Sequence, residues 1–301
     1  MHISRLIFGC NDVFTRRVRN KEKYEGVITE KNISFGSDGK FTAMDIYYPK
    51  SDEKLPVLVN VHGGGVVRGD KALRSGISRF FASNGWFVAN INYRRAPKWK
   101  FPSATEDTIN ALNFVNTLGD KYNIDLKRIV LVGDSAGGFY ASHAMAAITD
   151  EALRKGLNLP EYKGEKIKAL VAFCAPFNLL KCVDRKSPFN VAFDIANCMF
   201  DTSFKKGDTI GDFPAKKYIN VLDFINKDFP KTFIVEAVND AFCGGQMEDM
   251  LKKLAEFNIE TDFYVADTEG DGHCTHLHPK KMGSPKCRER VVEFLERVKN
   301  S

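Results

Sequence analysis

Five residues, Gly133-Asp134-Ser135-Ala136-Gly137, read as G-x-S-x-G, and their setting makes them chemically suggestive. The apolar run Ile129-Val130-Leu131-Val132 precedes them, and an apolar helical pattern follows from Ala136. A serine squeezed into a strand-to-helix turn needs small neighbours, because side chains at the flanking positions would collide with the tight backbone. The turn then presents the hydroxyl at the carboxyl end of the sheet. Ser135 is therefore the candidate nucleophile for acyl transfer, and the helix N-terminus beneath it favours developing negative charge. Without the flanking strand and helix, the same pentapeptide would be an ordinary glycine-rich turn.

A second segment, His62-Gly63-Gly64-Gly65, follows the apolar run Val57-Leu58-Val59-Asn60-Val61. Acyl transfer puts negative charge on the former carbonyl oxygen, and the backbone N–H groups of Gly63, Gly64 and Ala136 could converge on it as an oxyanion hole. One such donor typically supplies about 2.7 to 4 kcal/mol of transition-state stabilisation. His62 stands at the strand end, where organising the loop, together with Gly65 and Asp134, suits it better than acting as a base.

A serine on such a turn is followed in chain order by its acid and then its histidine. Asp240 comes directly after the apolar run Thr232 to Ala237, in the loop where an acid partner belongs; Glu236, Asp249, Asp267, Glu269 and Asp271 are the alternatives. The loop Gly270-Asp271-Gly272-His273-Cys274-Thr275-His276-Leu277-His278 offers three imidazoles. His273 follows a flexible glycine and is the preferred base, since a neutral ring nitrogen can take the serine proton near pH 7; His276 is second. His273, Cys274, His276 and His278 also look like metal ligands. Alternating positions on one short loop rarely close a tetrahedral cage without distant ligands, so no metal is expected. His143 reads as a packed or surface residue, and Cys243 and Cys274 receive no role.

Four motifs in order, His62-Gly63-Gly64-Gly65, Asn92-Tyr93-Arg94-Arg95-Ala96-Pro97, Phe101-Pro102-Ser103-Ala104 with Glu106-Asp107, and Gly133 to Gly138, resemble the hormone-sensitive-lipase-like carboxylesterases of the α/β-hydrolase fold. The resemblance is closest from about Pro56 to His143. It implies an esterase with Ser135, Asp240 and His273 as triad, Gly63, Gly64 and Ala136 as oxyanion hole, and a lid built from the N-terminal segment and an insertion. The chain departs from that pattern at Arg95, at Val66, in the acid loop Asp240-Ala241-Phe242-Cys243, and at Thr275.

The elements that must position these residues are legible as short apolar runs alternating with longer helical patterns, the signature of a mostly parallel, doubly wound sheet of about eight strands. Strands are predicted at 27–35, 42–48, 57–61, 87–92, 129–133, 167–174, 232–237 and 261–265, and helices at 76–84, 105–121, 136–150, 245–258 and 286–299. The whole chain, 1–301, reads as a single domain. Residues 1–24 and 176–230 do not fit the alternation. The second carries Phe177, Phe189, Phe193, Phe200, Phe204 and Phe213, which suggests a helical insertion covering the site, or else one whose aromatics serve only its own core.

Composition bounds the rest. Hydrophobic residues make up 44% of the chain, enough for a sizeable core, and the 44 Lys and Arg against 38 Asp and Glu are scattered. A solvated surface is expected rather than a nucleic-acid or membrane footprint. Seven Cys without paired spacing fit reduced thiols in a cytoplasm. No apolar stretch suits a signal peptide or a transmembrane helix. The chemistry needs no cofactor. The partner is a small ester, with aromatic residues of the insertion and Val66 or Val67 lining its pocket; homo-oligomerisation stays open. The rival readings are an amidase or deformylase of the same fold and an inactive ligand-binding module.

Overall fold

The computed structural model describes residues 2–18, 22–184, 191–205, 211–280 and 283–300. After α1 (Ile3–Val18) come β1 (Val27–Ser34), β2 (Ala43–Pro49), β3 (Leu55–Val61), α2 (Ser75–Ser83), β4 (Phe87–Ile91), α3 (Ser103–Val115), the single turn α4 (Gly119–Tyr122) and β5 (Ile124–Asp134). Then follow α5 (Ala136–Thr149), α6 (Glu151–Gly156), β6 (Ala169–Phe173), α7 (Leu179–Asp184), α8 (Val191–Phe200), β7 (Lys231–Ala237), α9 (Met247–Glu256), β8 (Thr261–Ala266) and α10 (Gly283–Lys299). All eight predicted strands are present. The helix predicted over 105–121 breaks after Val115, where the chain tightens into a 3-10 turn before α4.

The sheet runs in the order β1-β2-β4-β3-β5-β6-β7-β8. β1 pairs antiparallel with β2 and β2 with β4, while every other pairing is parallel. All seven residues of β3 are buried, as expected of a strand covered on both faces, which reads as a continuous apolar run instead of an alternating one. Alternate side chains still go to different layers. Val57, Val59, Val61, Ile129 and Leu131 pack with α3, α5 and α9, whereas Leu58, Val130 and Val132 pack with α2 and α10. A sheet sandwiched in this way leaves only its strand ends free to carry chemistry, and β3, β5, β7 and β8 all deliver their carboxyl ends to one side.

Two segments cross that side. α1 is tied to α8 through Asp194, which accepts from the Ser4 backbone N–H at 2.8 Å, from the Ser4 hydroxyl, and faces His2 Nδ1 at 3.0 Å. The 176–230 insertion supplies α7 and α8, then two 3-10 turns, Lys216–Tyr218 and Val221–Phe224. Its Phe200 and Phe213 rings meet at 4.8 Å and Phe204 joins them at 6.1 Å; Phe189 lies outside the described residues. These aromatics pack on one another and, through Phe200 on Phe101 at 5.8 Å, against the main core.

Candidate active site

β5 ends in a turn that the sequence makes unusually tight. A Cβ on Gly137 would land on the Val61 carbonyl, so only glycine lets α5 start this close to β3. Ser135 sits at φ 53°, ψ −124°, a strained conformation for a residue with a side chain. Its N–H donates to the Phe173 carbonyl at 2.8 Å, locking the turn to β6.

The Ser135 hydroxyl lies 2.8 Å from His273 Nε2, and His273 Nδ1 lies 2.8 Å from Asp240 Oδ2. Asp240 is nearly fully buried, and its other oxygen accepts from the Phe242 and Cys243 N–H groups at 2.8 and 2.9 Å. Burial alone would raise the Asp240 carboxyl, but His273 and these two donors outweigh it and hold it below the usual carboxylate range. Burial likewise opposes charge on His273, yet the hydrogen bond and charge of Asp240, with a contact to Cys174, win and raise the imidazole above its usual 6.5. The three residues, brought together from three loops, form a continuous hydrogen-bonded line.

The loop after β3 packs against this turn. Gly64 takes φ +147° with its Cα against the Arg68 backbone, a position closed to any side chain. Ala136 is the first residue of α5, so its N–H has no partner within the helix. His62 is fully buried, stacked at 4.3 Å on Tyr93, with Nδ1 2.8 Å from the Gly63 carbonyl, while the Tyr93 hydroxyl donates to the His62 carbonyl at 2.8 Å. Burial, helped by Arg95 and Arg74, lowers the ring to about 4, so it is neutral. Asp134 makes a two-pronged ion pair with Arg74, at 2.7 and 2.6 Å. Burial pushes against its charge, but Arg74 prevails and holds the carboxyl down at about 2. Gly65 lies under the Phe8 ring of α1.

The alternatives are engaged elsewhere. Glu236 accepts from the Gln246 and Met247 N–H groups at the start of α9, Asp249 pairs with Lys181 at 2.5 Å, Asp271 accepts from the Thr275 hydroxyl at 2.6 Å, and Asp267 and Glu269 are exposed. His276 is stacked at 3.6 Å on Phe173. His143 is a packed residue, bonded to the Thr105 hydroxyl and the Tyr218 carbonyl, with burial lowering it to about 4.

Ser135 and His273 line two cavities. One, about 80 Å³, is almost wholly apolar and is bounded by Val66, Phe139, Leu179, Val183, Val191 and Ile195. The other, about 300 Å³, includes Arg74, Asp134 and Leu277. Phe8 and Phe242 border both, their rings 6.2 Å apart, and Phe242 leans over His273 at 5.3 Å. Among the described residues, the insertion thus contributes aliphatic side chains to the smaller cavity, and not the aromatics expected of it; Val66 lines that cavity, whereas Val67 faces an outer cleft with Arg95 and Trp99. Phe8, Arg74 and Phe242 carried no sequence signal, since their roles depend on where α1 and the loops settle.

This layout is the α/β-hydrolase fold. The chain belongs to the BD-FAE family, whose model matches residues 44–254, more than half of its length. It is similar to arylacetamide deacetylase-like 3 of Homo sapiens, 31% identical over 170 residues that cover 55% of this chain and 37% of that protein. Esterase LipI of Mycobacterium tuberculosis (strain ATCC 25618 / H37Rv) is 38% identical over 101 residues, 32% of each chain. The match thus spans about a third of the length of these curated relatives. In structure it resembles esterase B from Lactobacillus rhamnosis, with a TM-score of 0.85 at 18% identity over 98% of this chain and 93% of that one. It also resembles a bacterial heroin esterase, with a TM-score of 0.74 at 18% identity over 96% and 90% of the two chains. Among the described residues, no helix is long and apolar enough to cross a membrane.

Proposed function

We propose that this protein is a serine carboxylic-ester hydrolase acting on small uncharged esters with short or medium acyl chains. The observation that carries the reading is the line from Ser135 Oγ through His273 to Asp240, with both links at 2.8 Å. Ser135 attacks the ester carbonyl while His273 takes its proton, and Asp240 holds the ring in the matching tautomer and stabilises the imidazolium. Backbone N–H groups of Gly63, Gly64 and Ala136 receive the oxyanion. His273 returns the proton to the departing alcohol, and water, activated by the same ring, hydrolyses the acyl-enzyme.

The smaller apolar cavity takes the acyl chain and the wider one the alcohol. Hydrophobic lining excludes a charged acyl group, because burying an unpaired carboxylate costs far more than the pocket returns. α1 with α7 and α8 acts as the lid over both cavities. Several relatives and structural neighbours bear esterase names, including esterase B inhibited by a tributyrin phosphonate, which supports the same chemistry here.

The test is turnover of a p-nitrophenyl ester series, acetate to long acyl chains, by wild type and Ser135→Ala. We expect a short- or medium-chain maximum in wild type and loss of turnover in the variant. A preference for anionic or very long-chain esters would contradict the substrate assignment, and turnover of matched amides above esters would move the reading to an amidase.

A further inference from the structure

Beneath the His273 ring lie two thiols that the hydrolytic mechanism does not use. Cys274 follows His273 in the chain; Cys174 comes from the end of β6, a hundred residues away, and its sulfur accepts from the Cys274 N–H at 3.2 Å. Both are almost fully buried. The two sulfurs and a ring nitrogen of His273 all lie within 4.8 Å of one another. A tetrahedral Zn²⁺ with Zn–S near 2.3 Å and Zn–N near 2.0 Å spaces its ligand atoms by about 3.4 to 3.8 Å, which modest side-chain rotation would reach. The histidine loop alone lacks the distant donor that a cage requires, and Cys174 brings a sulfur from a hundred residues away to that place.

We propose that Cys174, Cys274 and His273 form a binding site for a thiophilic divalent cation of the Zn²⁺ type, and that its occupation switches the enzyme off. Two soft thiolates and an imidazole make a Cys₂His donor set suited to zinc, with water completing the tetrahedron. Binding displaces the two thiol protons to solvent. The Cys274 thiol now lies 3.8 Å from Asp134 Oδ2; a thiolate there would face that buried carboxylate, and the dication offsets the repulsion. His273, Cys274 and Asp134 line the wider cavity beside Ser135, which provides an entry path for the ion. Once a ring nitrogen of His273 is committed to the metal, the ring cannot also serve both Ser135 and Asp240.

Co²⁺ added to reduced, chelator-treated protein is the direct probe, because cobalt–thiolate bonds give charge-transfer absorption that needs no turnover. We expect the band in wild type, its displacement by Zn²⁺, and cobalt affinity weakened at least roughly tenfold in Cys174→Ser and in Cys274→Ser. Cys243→Ser, which alters a neighbouring buried thiol, should leave the band intact. Zn²⁺ should inhibit ester turnover reversibly in wild type and much less in the two serine variants. Absence of the band, or a band that survives in folded Cys174→Ser and Cys274→Ser, would overturn the site. Binding without inhibition would overturn the switch. A protein that binds cobalt but hydrolyses no ester would fail the esterase reading alone.

Discussion

A serine hydroxyl is a poor nucleophile near neutral pH, so the reactivity assigned to Ser135 rests on the ring 2.8 Å away and on the carboxylate behind it. Asp240 stabilises the imidazolium, which raises the pKa of His273, whereas the base is active only when neutral. The acid limb of kcat/KM should therefore lie above 6.5, with activity increasing as pH climbs through it. Asp240→Asn removes the charge that supports the imidazolium while burial persists. The limb should move to lower pH, and kcat should fall by roughly 10⁴-fold. A pH–rate profile of the two proteins checks both expectations; an unmoved limb would remove Asp240 from its role. Ser135, the glycines of the 62–65 loop, Asp240 and His273 were legible in the sequence because the flanking strands and the chain order constrain them. The departures at Ala241, Phe242 and Thr275 do not disturb the line, since Asp240 needs only the Phe242 and Cys243 N–H groups, which any residue can supply.

At the scale of elements, the turn and the helices beside the site are held by contacts that no local pattern encodes. Arg74 reaches Asp134 across sixty residues and forms a pair buried on both sides. Removing one partner leaves the other charge uncompensated, so Arg74→Met should destabilise the protein by about 3 to 5 kcal/mol in urea titrations. α1 covers the site through Phe8, and the small cavity is closed by Leu179, Val183 and Ile195. Ile195→Ala should shift the acyl preference toward longer chains, while Phe8→Ala, which removes the ring shared by both cavities, should favour bulkier alcohols. Measured kcat/KM across matched ester series reads either effect, and an unchanged profile would place the acyl chain elsewhere. The periodicity of the sequence revealed strands and long helices well. It set no bounds for α1 or for the insertion's helices α7 and α8, whose apolar faces meet one another and the site instead of the sheet. The aromatic density of the insertion pointed to helices beside the site, which α7 and α8 supply, but not to which side chains line it: Phe200, Phe204 and Phe213 pack on one another and on Phe101.

For the whole molecule, eight apolar runs announce a covered parallel sheet, but their count does not reveal that β4 lies outside β3 or that β1 and β2 turn antiparallel at one edge. That order follows from crossover handedness and packing, which act between elements distant in the chain. Global stability should carry the imprint of Asp134. Its folded pKa of about 2 lies below the usual 3.8, so it contributes roughly 2.5 kcal/mol above pH 4, lost as pH falls from about 4 toward 2. Denaturant titrations over that range should show a smaller acid loss in a doubly substituted Arg74→Met, Asp134→Leu protein. The central claim is that one serine carries the chemistry. Its most direct test is to treat the folded protein with an active-site phosphonate, measure intact mass and map the adduct, with Ser135→Ala alongside. The account expects a single phosphonyl group on Ser135, absent from the variant, with ester turnover abolished in step; an adduct on another residue, or turnover that survives in Ser135→Ala, would contradict it.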